Sequence, residues 1–160
     1  MLKHSRAVAG AACLIALAAC RAAPANFDPQ DPVAIAAIDS LIAGAMEGAA
    51  NVDADRVLAM AVQDSTLTFL TGDVLLTGFE PIREQFRKTY SNLQRQQQTI
   101  IEKHVRLLSP DVALVTAVAE GTYTDKAGWT SPPVGIGTTI IFVREDGEWR
   151  AQHVHQSIAY

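Results

Sequence analysis

The chain has 160 residues, of which 49% are hydrophobic, 19% charged and 6% aromatic. This length and composition predict one compact domain and exclude disorder over most of the chain. Thirteen Lys and Arg against seventeen Asp and Glu give a formal net charge of -4, which excludes the basic surface of a nucleic-acid-binding protein. The low aromatic content also argues against a stacking platform for single-stranded nucleic acid.

Residues 1–19 have the pattern of a secretory signal peptide. A basic start precedes an uncharged apolar run at 7–19, which is shorter than the ~20 residues that a membrane-spanning helix needs. The run ends in the sequence LAAC, a bacterial lipobox pattern in which the thiol of Cys20 accepts a diacylglycerol. The alternative is an ordinary signal peptide cleaved after Ala23 or Ala25, with loss of Cys20.

The cysteine positions favour lipidation over that alternative. The other cysteine, Cys13, lies in the apolar run, so an exported domain would have no second thiol for a disulfide with Cys20. We predict that residues 20–31 are the lipidated cysteine and a tether, with acyl chains that hold the domain at a membrane without entering it. Arg21 is not the aspartate that commonly retains lipoproteins at the inner membrane. The expected location is therefore the periplasmic side of the envelope, at the outer membrane.

Residues 32–160 are expected to form the folded domain. Asp31 followed by Pro32 is a helix-start signal, and apolar residues at three- and four-residue steps predict a helix at 33–49. A second short helix is predicted after the cap residue Asp53. The remaining predicted elements are a hairpin at 66–76, a helix at 79–93, and strands at 99–108, 112–124, 134–144 and 149–158. This order predicts an α+β domain with helices on one side of a curved antiparallel sheet.

Three segments resemble a known family: DST at 64–66, GFEPIR at 78–83, and FVREDGEWR at 142–150. They are similar to the nuclear transport factor 2-like superfamily and, within it, to the SnoaL-like branch. The resemblance implies a cone-shaped, cystatin-like half barrel, in which a curved antiparallel sheet and three helices enclose a pocket. It also implies a homodimer formed through the sheet, which agrees with the apolar residues on both faces of 112–119.

The resemblance does not imply one activity, because family members isomerise steroids, cyclise polyketides, dehydrate substrates or only bind them. The ketosteroid isomerase branch has its aspartate base in the first hairpin, where this chain has Phe69. The branch places a second aspartate in the penultimate strand, where residues 135–141 contain no carboxylate, and a tyrosine in the first helix, where residues 32–51 contain none. Isomerase chemistry of that type is therefore not expected.

The last strand supplies the main pocket candidates. Side chains two apart share a strand face, so His153 and His155 align with Trp149, whose face we expect to be buried. Both imidazoles would then point into the cavity as ligand contacts or as an acid or base; the alternative is a pair of satisfied core or interface histidines. His104 and Glu120 are the available further ligands for a metal, but nothing in the sequence brings them to the pair, and no metal or cofactor is expected.

Other candidates lie in the middle strands and the loop after them. Glu120 is expected to face solvent on the outer side of the sheet, or else to be a pocket carboxyl with a raised pKa. Tyr123, Trp129 and Phe142 are candidates for an apolar pocket wall, or for ordinary packing. Trp129 also lies in the loop at 124–133, where an exposed tryptophan would suit a lid or a partner contact.

The predicted function is that of an exported, lipid-anchored domain that binds a small apolar molecule or a protein partner without catalysis. The pocket candidates are His153, His155, Tyr123, Phe69, Glu120 and Trp129. The alternative is a SnoaL-like enzyme, of the isomerase, cyclase or dehydratase type, that uses His153 or His155 as acid or base. No contact with nucleic acid is expected, and contact with the membrane is expected only through the lipid anchor.

Overall fold

The computed structural model describes residues 27–159 of the protein, and within that range it contains three helices and six strands. In chain order these are α1 (Pro32–Ala50), α2 (Ala54–Leu58), β1 (Thr68–Thr71), β2 (Val74–Thr77), α3 (Phe79–Tyr90), β3 (Leu93–Ser109), β4 (Val112–Asp125), β5 (Val134–Glu145) and β6 (Glu148–Ala159). The predicted signal peptide and Cys20 lie outside the described residues and stay predictions.

Two aspartates begin the first two helices, as predicted. The side chain of Asp31 accepts a hydrogen bond from the backbone nitrogen of Val33 at 2.9 Å, and Pro32 is the first helical residue. Asp53 accepts from the backbone nitrogen of Arg56 at 3.0 Å in the same way. These bonds satisfy backbone donors that have no partner within the helix, which is why both helices begin where they do.

Helix α1 is long and apolar enough to cross a membrane when judged by length and composition alone. In the structure it packs against α2 and β3, with Ile38 and Ile42 buried. A side chain at Gly48 would come within 2.6 Å of the backbone nitrogen of Val57, so glycine permits the close approach of α1 to α2. The contacts therefore make α1 a core helix of the domain.

The strands form one open sheet in the order β2-β1-β6-β5-β4-β3. Neighbouring strands are antiparallel except for β1 and β6, which pair in parallel, with Thr68 opposite His153 and Leu70 opposite His155. The sheet is therefore mixed, which corrects the fully antiparallel sheet expected from the sequence. No hairpin joins β1 to β6, and so the connection between them does not impose an antiparallel direction.

Strand β3 begins at Leu93, six residues before the predicted start at Thr99. The extension consists mainly of glutamines, and it pairs with β4 through Gln96 opposite Tyr123 and Gln98 opposite Gly121. Because both faces of this stretch are polar, it lacks the apolar alternation from which a strand is predicted. The third helix correspondingly ends at Tyr90 instead of residue 93.

Strand β6 contains an irregularity that reverses which side chains face the helices. Ala151 pairs with Phe142 on β5, whereas His153 pairs with Ile141, so Gln152 is an extra residue with no partner in the register. Before this bulge the buried side chains are Trp149 and Ala151; after it, the buried side chain is Val154. The faces of β6 are therefore exchanged halfway along the strand.

The core lies between the sheet and the helices. Its largest fully buried side chains come from the helices, the loop before β1 and the central strands: Phe142, Ile38, Leu67, Ile82 and Val115. Strands β5 and β6 are joined by a turn at Asp146 and Gly147, both with positive φ. Such a turn matches the twist of an antiparallel hairpin, and Gly147 adopts it without strain.

We predict that Ile38→Ala lowers the free energy of unfolding by about 2–5 kcal/mol, because it leaves a cavity at a fully buried site. Val33→Ala is the matched control on the same helix, since Val33 is 77% exposed and the change is expected to alter stability by less than about 0.5 kcal/mol. Urea unfolding followed by circular dichroism measures both. Equal losses in the two variants would contradict the placement of α1.

Candidate functional site

A cavity of about 330 Å³ lies between the helices and the concave face of the sheet. Small-molecule sites in proteins begin at about this volume. The cavity is therefore large enough for a small ligand and is the candidate site of this domain.

Most of the cavity wall is apolar. Ile42 and Met46 on α1 and Phe86 on α3 form the helical side. The strands contribute two rows of apolar side chains, defined by the register of the sheet. One row consists of Val115, Ile140, Val154 and Phe69, and the other of Ile100, Ala119, Ile136 and Ile158. A wall of this kind favours a ligand with a large apolar surface.

The polar side chains of the wall are mostly neutral amides and hydroxyls. The glutamines are Gln85, Gln96, Gln98 and Gln156, and the threonines include Thr71, Thr89 and Thr138. The ionisable side chains in the lining are Lys103 and Tyr90. Lys103 donates from Nζ to Oδ1 of Asp39 on α1 at 2.6 Å, so its charge is balanced by a carboxylate. Burial raises the pKa of the Tyr90 phenol to about 12, so it stays protonated at neutral pH.

Phe69 is the one sequence-predicted pocket residue that the structure places in the cavity wall. Its ring packs edge-on against Phe86 of α3, with 5.2 Å between the ring centroids. This geometry is favourable for aromatic pairs and holds α3 against β1. Phe69 therefore closes one side of the cavity with an apolar surface.

His153 and His155 lie on the outer face of β6 and are not among the cavity-lining residues. The bulge at Gln152 removes the shared face with Trp149 on which the prediction depended, and the residues that line the cavity are instead Val154, Gln156 and Ile158. The Nδ1 atom of His153 is 2.7 Å from Oγ1 of Thr68 on β1, so this ring is held by a neighbouring strand. The expectation that both imidazoles point inward was wrong.

Tyr123 and Trp129 also lie outside the cavity wall. They contact each other edge-on with ring centroids 5.8 Å apart, beside the loop that follows β4. Trp129 is 54% exposed, and its backbone nitrogen donates to Oδ1 of Asp125 at 2.9 Å. Phe142, the third aromatic candidate, is fully buried in the core. A lid or partner contact by Trp129 stays a prediction.

Glu120 is exposed on the outer face, where its register partners are Thr99 on β3 and Gly135 on β5. This is the solvent-facing placement that the sequence favoured. His104 is also exposed, with Nε2 2.8 Å from Oε1 of Glu102. Within residues 27–159, no group of three His, Cys, Asp or Glu side chains is arranged to hold a metal.

Gln156, Thr138 and Lys103 are among the polar cavity residues that the sequence did not reveal. Gln156 was assigned to the outer face because alternation was counted from Trp149 without a bulge. Thr138 lies in β5 after Gly135 and Gly137, in a stretch that has no carboxylate and no regular alternation to mark an inward-facing residue. Lys103 lies in a strand of mixed polarity, and a bulge between Ile100 and Glu102 again shifts the inward-facing positions.

Helices α2 and α3, which form part of the cavity wall, are joined by an ion-pair cluster around Asp55. Arg83 donates from Nε to Oδ1 of Asp55 at 2.8 Å, and Arg87 donates from an Nη atom to Oδ2 at 2.8 Å. The hydrogen bonds from Arg83 and then Arg87 lower the pKa of the Asp55 carboxyl from 3.8 to about 2. The cluster is exposed, so it positions α3 more than it stabilises the whole domain.

A family model described as a SnoaL-like domain matches residues 38–160 of the chain. A comparison with curated proteins found no match. Among solved structures, a Caulobacter vibrioides protein with a cystatin-like fold is similar with a TM-score of 0.67 and 19% identity, over 79% of this chain and 89% of that chain.

Two further structures are similar at lower identity. A nuclear transport factor 2-like superfamily protein from Salmonella enterica has a TM-score of 0.69 at 14% identity, over 77% of this chain and 89% of that chain. The hexachlorocyclohexane dehydrochlorinase LinA-type3 from Novosphingobium barchaimii has a TM-score of 0.69 at 14% identity, over 81% of this chain and 88% of that one. These similarities confirm the predicted fold class.

We predict that Asp55→Asn removes a pH-dependent part of the stability. Because the folded-state pKa of Asp55 is below its ordinary value, its contribution is fully present above pH 3.8 and is lost as the pH falls through about 2. The difference in unfolding midpoint between wild type and Asp55→Asn should therefore be largest near neutral pH and fall to a small fraction of that value as the pH is lowered through about 2. Asp73→Asn, an exposed aspartate outside the cluster, is the control. A difference that is the same at pH 2 and pH 7 would contradict this account.

Proposed function

Because the chain belongs to the SnoaL-like domain family, we propose that it binds a small, largely apolar molecule in the cavity between the helices and the sheet. The observation that carries the proposal is the cavity itself, about 330 Å³ with two rows of apolar side chains along its wall. In a space lined in this way, replacing water by an apolar ligand lowers the free energy of the system. The fold supplies the enclosure, and the side chains select the ligand.

Binding without a reaction is the form of this proposal that the lining side chains favour. General acid–base catalysis works best with a group whose pKa is near the working pH. The ionisable groups in the wall are Lys103, which is paired with Asp39, and Tyr90, whose pKa is raised to about 12. Tyr90 therefore stays protonated at neutral pH, and Lys103 is held in an ion pair.

The alternative is a SnoaL-like enzyme that uses His153 or His155 as acid or base. One structural neighbour is a dehydrochlorinase, so the fold can hold a catalytic site. His153 and His155, however, lie on the face of β6 opposite to that of Val154 and Gln156, which line the cavity. A ligand in the cavity would therefore be separated from them by the sheet, and the enzyme proposal has weaker support.

Export and lipid anchoring at Cys20 are proposed from the sequence alone. The apolar run, the LAAC segment and the lack of a disulfide partner support this proposal. Phe27, the first described residue, packs against the core, so the segment from Cys20 to the folded domain is short. An anchored domain of this kind would meet its ligand close to a bilayer, where apolar molecules accumulate.

We predict that Ala119→Phe abolishes or strongly weakens binding of N-phenyl-1-naphthylamine, an apolar dye whose fluorescence rises in a dry site. Ala119 lines the cavity, so the added ring occupies space that the dye needs. Thr116→Phe on the same strand is the matched control, because Thr116 is exposed and lies on the outer face. Saturable dye binding by wild type and the control, but not by Ala119→Phe, is the expected result. Equal binding by all three proteins would exclude the cavity as the site.

For the anchor, we predict that the mature protein made in a Gram-negative host begins at Cys20 and carries a diacylglycerol. Cys20→Ser should remove the modification, whereas Cys13→Ser should leave it, since Cys13 lies in the segment that is cleaved. Mass spectrometry of the N-terminal peptide and detergent partitioning measure both. An unmodified wild-type chain that begins after residue 20 would rule out lipidation.

A further inference from the structure

One row of inward-facing side chains across the sheet is polar. The register places Lys103 on β3 opposite Ala117 on β4, Ala117 opposite Thr138 on β5, and Thr138 opposite Gln156 on β6. Gln156 in turn pairs with Thr71 on β1. All five residues line the cavity. We call Lys103, Thr138, Gln156 and Thr71 the polar belt.

The polar belt lies between the two apolar rows of the wall. On β5, Thr138 is flanked on the same face by Ile136 and Ile140, and on β6, Gln156 is flanked by Val154 and Ile158. Same-face neighbours along a strand are about 6–7 Å apart. A ligand that fills the cavity therefore contacts apolar side chains at both ends and polar ones in the middle.

Thr138 and Gln156, at the centre of the polar belt, have polar atoms that can hydrogen-bond to a ligand. Within residues 27–159, neither Thr138 nor Gln156 hydrogen-bonds to another side chain, and no fully buried side-chain nitrogen or oxygen lacks a partner. Their polar atoms therefore reach space that water or a ligand can occupy. An apolar ligand across these groups would leave them unsatisfied, which costs free energy, whereas a ligand with a matching polar group would not.

We propose, building on the proposed function above, that the ligand is an uncharged molecule with a carbonyl group between two apolar parts, and that Thr138 and Gln156 hydrogen-bond to that carbonyl. The Thr138 hydroxyl and the Gln156 amide nitrogen are both donors, and a carbonyl oxygen accepts two hydrogen bonds. Ala117, next to Thr138 in the row, has only a methyl group and leaves room for the oxygen. Gln156 and Thr138 are thus specificity-determining residues.

The charges around the polar belt argue for an uncharged ligand. Lys103 is the charged side chain in the lining, and it already pairs with Asp39 at 2.6 Å. A carboxylate ligand would share the Lys103 ammonium with Asp39, which leaves two carboxylates with one cation beside an apolar space, and a cationic ligand has no carboxylate in the lining to meet it. Selection against charge is therefore part of the same proposal.

Three related probes test the proposal: benzophenone, with a carbonyl between two rings; diphenylmethane, which lacks the oxygen; and 2-benzoylbenzoate, which adds a charge. Their dissociation constants are measured by displacement of N-phenyl-1-naphthylamine from the full mature domain. Wild type is expected to bind benzophenone about three- to tenfold more tightly than diphenylmethane, the range expected for one or two neutral hydrogen bonds. It is expected to bind 2-benzoylbenzoate at least about tenfold more weakly than benzophenone.

The variants Thr138→Val and Gln156→Leu are expected to bring the preference for benzophenone over diphenylmethane close to one while retaining affinity for diphenylmethane. Thr139→Val and Gln97→Leu make the same changes at residues whose register positions place them on the outer face, and they should keep the wild-type preference. Circular dichroism and the unfolding midpoint establish that each variant folds. If a cavity variant does not fold, the wild-type comparison of the three probes still decides the proposal.

The outcomes separate this proposal from the proposed function. If wild type binds both neutral probes equally, or binds 2-benzoylbenzoate as tightly as benzophenone, the assignment of the polar belt is wrong although the cavity binds ligands. The same conclusion follows if the outer-face controls lose the preference as much as the cavity variants do. If neither the dye nor any probe binds wild type, both proposals fail.

Discussion

The extra residue at Gln152 in β6 decides which side chains of the last strand face the cavity. A regular strand from Trp149 onward would place His153 and His155 beside the helices and would put Gln156 on the outer face. The bulge exchanges these faces between Ala151 and His153. The chemical character of the site, with neutral amide and hydroxyl groups and no imidazole, depends on this one irregularity.

The bulge also separates the part of β6 that packs into the core from the part that lines the cavity. Before it, Trp149 and Ala151 pack into the core with Phe142. After it, Gln156 and Ile158 line open space. A second bulge, between Ile100 and Glu102 on β3, has the matching effect on the far side of the sheet, where Lys103 is brought inward. Because bulges increase local twist and bend a strand, the same features that select the lining residues also contribute to the bending of the sheet around the cavity.

The sequence predicted well those elements that depend on local signals. Asp31 with Pro32 begins α1, and the bounds of β4 and β5 differ from the predicted ones by one residue. The site was predicted less well, because membership of the cavity wall depends on register. Alternation along β6 cannot reveal a residue that has no partner on β5, and the parallel pairing of β1 with β6 joins segments far apart in the chain. Phe69 was found because the family resemblance assigns its position in the first hairpin to the pocket.

Phe69 marks the difference between this cavity and the active site of the ketosteroid isomerase branch. The ketosteroid isomerase branch of the superfamily that the sequence resembles has its aspartate base at this place in the first hairpin, and this chain has an aromatic ring there, packed edge-on against Phe86. Its register neighbour on β6 is Val154, so the wall at this height is apolar across both strands. The next inward row contains Thr71, Gln156 and Thr138, which can orient a ligand by hydrogen bonds but have no acidic or basic group to exchange protons near neutral pH. These two rows give the wall an apolar surface beside a hydrogen-bonding one, and this arrangement is the physical reason why we propose binding instead of catalysis.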